Sequence, residues 1–460
     1  MKSSLLKRGL IAGTAIIASV GTFGALIPQA GAISPTQIAI GGSDTTQNVM
    51  RAIAAATTTS GVNYTNIDSY PAADVVIPAD DYCAGAVTWR NSLIWGSSTA
   101  SATLQKAPNG SSAGRTALNL YAASTTYGAT NLACLDIARS SSYGANSPSA
   151  TAEYYGFALD AVSWGTTSQN APSSLTPAQL AAIYKCTYTD WSEVGGTAGP
   201  IQRYIPPTGS GTRDYFLEEV LYSGDASFTK STALTAVGTP GTAGYCPAAI
   251  DLEEHTANTI SIANWNKAIF PYSGGVWSYQ AANATNPTID KRGRTGAGTK
   301  ARIGGLNRSA YAQSTATPQT GDNKVNNANI VAWNTGDGAW QLNTPGLAFV
   351  TGNANDPGGF VVKEENSKQK NAYQGGLTAL TVFPGVRIVY NVIDSRIGTV
   401  SADLARAFVG FNNVASGTKS ALCNGDLEGI ILSNGFATLP SSGGGEYNLA
   451  GSTCRKYLAS

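Results

Sequence analysis

Short apolar runs alternate with amphipathic stretches along most of this chain. "TQIAIGGSDTTQNVMRAIAAA", from Thr36, reads as strand, glycine-rich turn and helix. "TNLACLDIARSSS", ending at Ser142, reads as a strand running into a polar turn. "AEYYGFALDAVSW" is a strand rich in aromatic and aliphatic residues, and "LTPAQLAAIY" is a helix with Thr176 as its N-cap. "GPIQRYIPPTGSGTRDYFLEEVLY" reads as strand, loop and helix, and "PGLAFVTG" and "VRIVYNVI" as later strands. This alternation predicts an α/β class. From Gln280 to about Asn329 the chain turns Gly/Asn/Thr-rich and loses periodicity, which predicts a long loop or insertion. No internal repeat is visible.

The N-terminus has its own pattern. Lys2, Lys7 and Arg8 precede an apolar run from Leu10 to Ile27, and Ala30-Gly31-Ala32 offers a small-residue cleavage site. Residues 1–32 therefore read as a secretory signal peptide, giving an exported mature chain from about Ile33. No later run approaches the roughly 20 apolar residues of a membrane span. No cysteine follows the cleavage site, so no lipid anchor is expected. Charged residues make up 12% of the chain and the net charge is +1, which argues against a nucleic-acid partner. Six cysteines in an exported chain predict disulfides. Sequence alone leaves the pairing open among about 15 connectivities; Cys423–Cys454, which flank the C-terminal segment, is the first expectation, with Cys83–Cys134 and Cys186–Cys246 as one way to pair the rest. No cysteines have Cys-x-x-Cys spacing and the one histidine is His255, so neither a metal site nor a cofactor is expected.

The candidate chemistry lies in the turns. In "TGSGTRDYF", Gly209 and Gly211 allow close approach to a ligand, Ser210 and Thr212 add hydroxyls, and a helix follows. Helix N-termini favour anions, and Arg213 adds a guanidinium fork. "GGSDTTQ" and "NGSSAGR" repeat the logic, and "ARSSS" adds three hydroxyls after a strand. Such turns at the C-terminal ends of strands in an open α/β sheet would together hold a small tetrahedral oxyanion.

These ordered pieces resemble the phosphate-binding proteins of ABC-type phosphate uptake, within the two-lobed periplasmic-type substrate-binding proteins. "IAIGGSDTTQNV", "NGSSAGRTAL", "LDIARSSS" and "IQRYIPPTGSGTRDYF" are similar to the family's successive loops. "SSLTPAQLAAIYKCTYTDWSEVGG" is the most specific match. The likeness is good from about Thr36 to Leu221; "FPGVRIVYNVI" and "LSNGFATLP" resemble the return crossover and the C-terminal turn. The resemblance implies a type II periplasmic-binding-protein-like fold, two α/β lobes joined by a hinge of crossover strands near "FALDAVSW" and "VRIVYNVI". Lobe 1 is expected over 33–155 with 393–460, and lobe 2 over 156–392. The implied ligand is inorganic phosphate or a similar oxyanion, the implied partner an ABC permease, and a monomer is expected. Implied contacts are Thr45, Thr46, Ser111, Ser141, Ser210, Gly211 and Thr212, with Arg213 as the charged contact and Arg203 or Arg139 as the other arginines.

One position departs from the family. Ser141 stands where relatives have an aspartate that accepts the proton of phosphate and repels sulfate, which implies weaker discrimination unless Asp44 compensates. Asp136 matches an earlier aspartate of that stretch and is expected to be structural. The competing readings are a secreted surface protein that kept the fold without a transport role, and a secreted serine hydrolase: "GSSAG" formally fits Gly-x-Ser-x-Gly, with Ser112 as nucleophile and His255 as base. "LQKAPNG" before it is a poor strand, and "DLEEHTAN" around His255 reads as an exposed loop. The basic cluster Lys291, Arg292, Arg294, Lys300 and Arg302 reads as a solvated loop.

Overall fold

The computed structural model describes residues 37–56, 66–71, 75–77, 87–90, 104–122, 135–143, 150–172, 174–222, 224–306, 332–333, 340–341, 386–397, 411–413, 418–419, 422–423, 425–438, 447–448 and 455–458. Residues 1–32, Cys83, Cys134, Cys454, the strand expected in "PGLAFVTG" and residues 307–329 lie outside these.

The elements that matter for the site, in chain order, are strand β1 (Gln37–Gly42), helix α1 (Gln47–Ala56), β2 (Asn66–Ser69), α2 (Ser111–Ala122), β3 (Ile137–Ser140), β4 (Ala152–Thr166), α3 (Pro177–Tyr184), β5 (Gln202–Ile205), α4 (Gly211–Tyr215), β6 (Ala268–Ser273), α5 (Gly274–Ala282) and β7 (Val386–Asp394). One sheet runs in the order Ile250–Asp251, β5, β6, β4, β7, β3, β1, β2. Its two flanks are parallel: β1 pairs β2 and β3 on one side, and β5 pairs β6 and Ile250–Asp251 on the other. Between them β4 and β7 pair antiparallel along their lengths. Parallel neighbours need crossover connections, which is why helices intervene within each flank. The apolar runs are buried because sheets of this kind are covered on both faces: Ile38, Ile40, Ile137, Tyr154, Leu159, Ile388 and Val392 are almost fully excluded from solvent.

Local signals match the elements they predicted. Thr176 caps α3, accepting from the Gln179 amide at 3.1 Å, while Gln179 Oε1 accepts from the Thr176 amide at 2.9 Å. Cys186 and Cys246 form the expected disulfide, and Cys423 is also disulfide-bonded. Among the described residues no helix is long and apolar enough to cross a membrane.

Two sequence expectations change. The segment from Gln280 is not all loop as far as it is described: Arg302–Ile303 pairs with β4, and Gly305–Leu306 with Ser174–Leu175. The basic cluster in that segment is not a simple solvated loop either. Asp290 takes Arg292 at 2.9 Å and Lys300 at 2.8 Å, Arg294 donates to the Ile260 carbonyl at 2.6 Å, and Arg302 reaches the carbonyls of Ser168, Ala171 and Pro172. Arg292 and Lys300 thus pair within the segment, while Arg294 and Arg302 tie it to neighbouring loops.

Candidate functional site

The site lies where the two flanks meet, at the C-terminal ends of β1, β3 and β5. Three backbone approaches create it. Gly42 ends β1 at φ 116°, and a Cβ there would lie 2.6 Å from the Arg139 carbonyl. Gly114 in α2 packs against Gly42, where a Cβ would lie 2.8 Å from the Gly42 Cα. This brings the first turn of α2 against the β1 turn. From the other flank, Gly211 opens α4 so close to α2 that a Cβ would come within 3.0 Å of the hydroxyls of Ser111, Ser141 and Ser142. A side chain there would push those hydroxyls out of place.

Six of the sequence candidates are thereby brought together. Thr45 Oγ1 and Thr212 Oγ1, from opposite flanks, are 3.2 Å apart. Ser111 Oγ lies 3.1 Å from Ser141 Oγ and accepts from the Ser141 amide at 2.9 Å. Ser210 caps α4 by accepting from the Arg213 amide at 3.0 Å. Gly211 lies between these groups. Thr46 is buried at the start of α1, its hydroxyl without a hydrogen-bond partner.

The arginines behave differently from the hydroxyls. Arg139 is fully buried, but it donates to the carbonyls of Ile40, Gly42, Ser43 and Tyr70 and to Ser69 Oγ at 2.8 Å. It ties the β1 turn together, and burial pulls it down to about 10. Arg203 donates to the carbonyls of Tyr184, Thr235 and Pro247. Arg213 donates to the Pro206 carbonyl at 2.7 Å and lies 3.8 Å from Asp251.

Arg115 of α2 donates to Ser140 Oγ at 2.8 Å and Ser112 Oγ at 3.2 Å, and the guanidinium at the Thr45 and Thr212 hydroxyls is that of Arg387 of β7. Its Nη2 donates to Thr45 Oγ1 at 3.2 Å and Thr212 Oγ1 at 3.0 Å. Its Nε and Nη2 both donate to Asp160 Oδ2, at 3.0 and 2.8 Å. Asp160 is its direct cross-strand partner on β4, and both side chains are fully buried. Asp160 also accepts from Ser273 Oγ and the Gly275 amide at the start of α5. Arg387 Nη1 has no hydrogen-bond partner. The sequence did carry a signal for this pair: one acid in "FALDAVSW" and one base in "VRIVYNVI", each in an otherwise apolar run.

The second group missed by sequence reasoning is "DLEEHTAN". It is a buried loop, not an exposed one: Glu254 and His255 are 6% and 7% accessible. Glu254 Oε2 accepts from Thr45 at 3.0 Å and Thr212 at 2.9 Å, and Oε1 accepts from Ser210 Oγ. His255 Nε2 lies 3.4 Å from both Glu254 Oε2 and Thr45 Oγ1. The His255 ring stacks on Tyr272 at 5.4 Å. Glu253 Oε1 accepts from Asn109 Nδ2 at 2.7 Å. Burial works against the Glu254 carboxylate, but His255, Ser210 and Arg387 outweigh it and bring Glu254 down to about 2. Asp44 moves the other way, well above the usual carboxylate range, through burial and then the charges of Glu254 and Glu253. Among the described residues no hydrogen bond joins Ser112 to His255. Ser112 Oγ instead accepts from Arg115 at 3.2 Å.

The residues 29–411 match the model of the PBP superfamily domain, and the chain belongs to that superfamily. Its fold is accordingly the α/β, periplasmic-binding-protein-like one, with β4 and β7 as the crossover strands. Among curated proteins none is significantly similar. Several solved structures are similar at low identity. One is a phosphate ABC transporter substrate-binding protein with bound phosphate from Clostridium perfringens, at 20% identity, covering 52% of this chain and 71% of that one, TM-score 0.32. Another is an ABC-type phosphate transport receptor from Vibrio cholerae, at 14% identity, 88% and 100% coverage and TM-score 0.37. A third is a phosphate-binding protein from Stenotrophomonas maltophilia, at 13% identity, 87% and 90% coverage and TM-score 0.35.

Proposed function

We infer that the chain is a secreted substrate-binding protein that captures inorganic phosphate, or a related tetrahedral oxyanion, for an ABC importer. The observation that carries this reading is Arg387 Nη1: a buried guanidinium nitrogen without a partner, beside hydroxyls that converge from both flanks. An unmet buried donor is costly, and an oxyanion is the group that satisfies a guanidinium and several hydroxyls at once. Thr45, Ser111, Ser141, Ser210, Gly211 and Thr212 form the neutral part of this cradle, and Thr46 adds a buried hydroxyl. Arg387 takes the charged role in place of Arg213 or Arg139, whose donors go to backbone carbonyls. Membership of the PBP superfamily supports a binding role. The ordered Ser-Gly-Thr and hydroxyl turns support phosphate. The basic-then-apolar residues 1–32 support export, and 33–155 with 393–460 against 156–392 remains the proposed division into lobes.

Isothermal titration calorimetry with inorganic phosphate tests the reading. Saturable one-to-one binding is expected. In a variant whose near-UV circular dichroism is native, Arg387→Gln should weaken it at least a hundredfold, since a desolvated charged contact is lost. Arg213→Ala should change it less than fivefold. Absence of phosphate binding both in the native chain and in Glu254→Ala would overturn phosphate as the ligand, and a large loss in Arg213→Ala alone would return the charged role to Arg213.

A further inference from the structure

The hydroxyls of the cradle already have an acceptor, and it belongs to the chain itself. Glu254 Oε1 takes Ser210, and Oε2 takes Thr45 and Thr212, with His255 Nε2 at 3.4 Å. These are three of the donors assigned above to the anion. A carboxylate offers two oxygens bearing one negative charge, which makes it a fair imitation of one edge of a tetrahedral oxyanion.

Its position is built, not incidental. The chain leaves the strand Ile250–Asp251 at the edge of the sheet, and Leu252 is buried at the start of the loop. His255 then adopts φ 61°, the left-handed region that non-glycine residues avoid. That turn lets Glu254 and His255 both lie inside. The loop is fastened on every side. Glu253 takes Asn109 ahead of α2, His255 stacks on Tyr272 of β6, and the His255 carbonyl accepts from Gln280 Nε2 of α5 at 3.0 Å.

Charge decides what this means for a ligand. Asp160 already balances Arg387, so an ionised Glu254 leaves the Thr45, Ser210 and Thr212 hydroxyls facing a buried negative charge. A free oxyanion at the same hydroxyls would meet a buried like charge and hydroxyls whose protons are already committed. Withdrawing Glu254 frees three hydroxyl donors and removes that charge.

We propose that Glu254 is a tethered internal ligand of the anion cradle, and that residues 251–256 form a strap which must release it before a free oxyanion can bind. The proposal rests on the anion-binding reading of the cradle. It adds that the cradle accepts a carboxylate as well as a tetrahedral oxyanion, and that the chain competes with its own ligand.

The test uses the full mature chain and Glu254→Ala, with phosphate and acetate titrated separately and followed by calorimetry and thermal unfolding. Glu254→Ala is expected to bind phosphate at least tenfold more tightly than the native chain. Millimolar acetate is expected to raise the unfolding temperature of the variant and leave the native chain unchanged. If acetate stabilises Glu254→Ala while phosphate binds neither protein, the internal ligand stands and phosphate is the wrong oxyanion. If phosphate binds the variant no better than the native chain and acetate has no effect, the proposal is overturned and Glu254 is a structural acceptor or a direct ligand contact. Glu254→Gln keeps the shape of the side chain without its charge. Where Glu254→Ala fails to fold, a tenfold gain in phosphate affinity in Glu254→Gln supports the proposal and an unchanged or weaker affinity overturns it.

Discussion

Arg387 and Asp160 face each other across β7 and β4 with no exposure to water, and the pair is held at both ends. Asp160 is fixed by Ser273 and the Gly275 amide, and Arg387 by Thr45 and Thr212. A buried ion pair is a weak source of stability, because both charges lose their hydration. Its use here is positional: it points a guanidinium at the hydroxyl turns. Glu254 sits on the other side of those hydroxyls, and its low pKa has a consequence for stability. A carboxylate lowered from the ordinary 4.5 to about 2 in the folded chain contributes stability that is complete above 4.5. That contribution fades as the pH falls through about 2. The full contribution is about 3 kcal/mol. Glu254→Gln should therefore be less stable than the native chain at pH 6, by up to that order, and the gap should narrow toward pH 2. Denaturant unfolding of both proteins at pH 6 and pH 3 measures it. A gap that is the same at both values would mean that Glu254 does not hold its proton balance in the fold. Asp44 and Glu253 are raised and work in the opposite sense, which is why the variant pair, and not the native curve alone, isolates Glu254. Neither Arg387 nor Glu254 was picked out from the residue string as a site residue. An arginine in an apolar strand and two glutamates beside a histidine have many ordinary explanations, and the partner that removes the ambiguity is distant in sequence.

The turns were more legible than the single charges. Hydroxyls and glycines between an apolar strand and an amphipathic helix form a local pattern, and local patterns are set by neighbours in the chain. The Thr176 capping box is the clearest case, because cap, proline and glutamine all lie within four residues. The Ser210 cap of α4 was similarly visible, but the need for Gly211 was not. Its lack of a side chain matters because α2 and the turn after β3 lie against it. Helix α4 also passes directly into a π-helical stretch, Phe216–Leu221, an irregularity that often accompanies functional sites. A methyl group at Gly211 would press on three hydroxyls that can each turn aside. Gly211→Ala should therefore keep native circular dichroism and weaken phosphate binding at least tenfold by calorimetry. Unchanged affinity would remove the start of α4 from the site.

Across the molecule, the strap ties the same elements that a bound anion would tie. Glu254 and His255 come from the β5–β6 flank and reach Thr45 on the β1 flank, while Glu253 reaches Asn109. Binding that engages loops from both flanks favours a closed arrangement. Small-angle scattering should then show little change in the native chain when phosphate is added to saturation. Glu254→Ala without phosphate should have a larger radius of gyration than the native chain, and phosphate should bring it back. Equal radii for all four samples would show that the crossover strands hold the flanks together without the strap. The alternation of apolar runs was enough to determine an α/β chain and its hydroxyl-rich strand-to-helix turns, because each depends on periodicity and capping within a short span. Which charges would meet those hydroxyls was decided only by tertiary structure. Arg387 lies 342 residues from Thr45 and Glu254 lies 209. Strand pairing and the left-handed turn at His255 bring them together, and burial then gives their charges an influence that the same residues would not have in water.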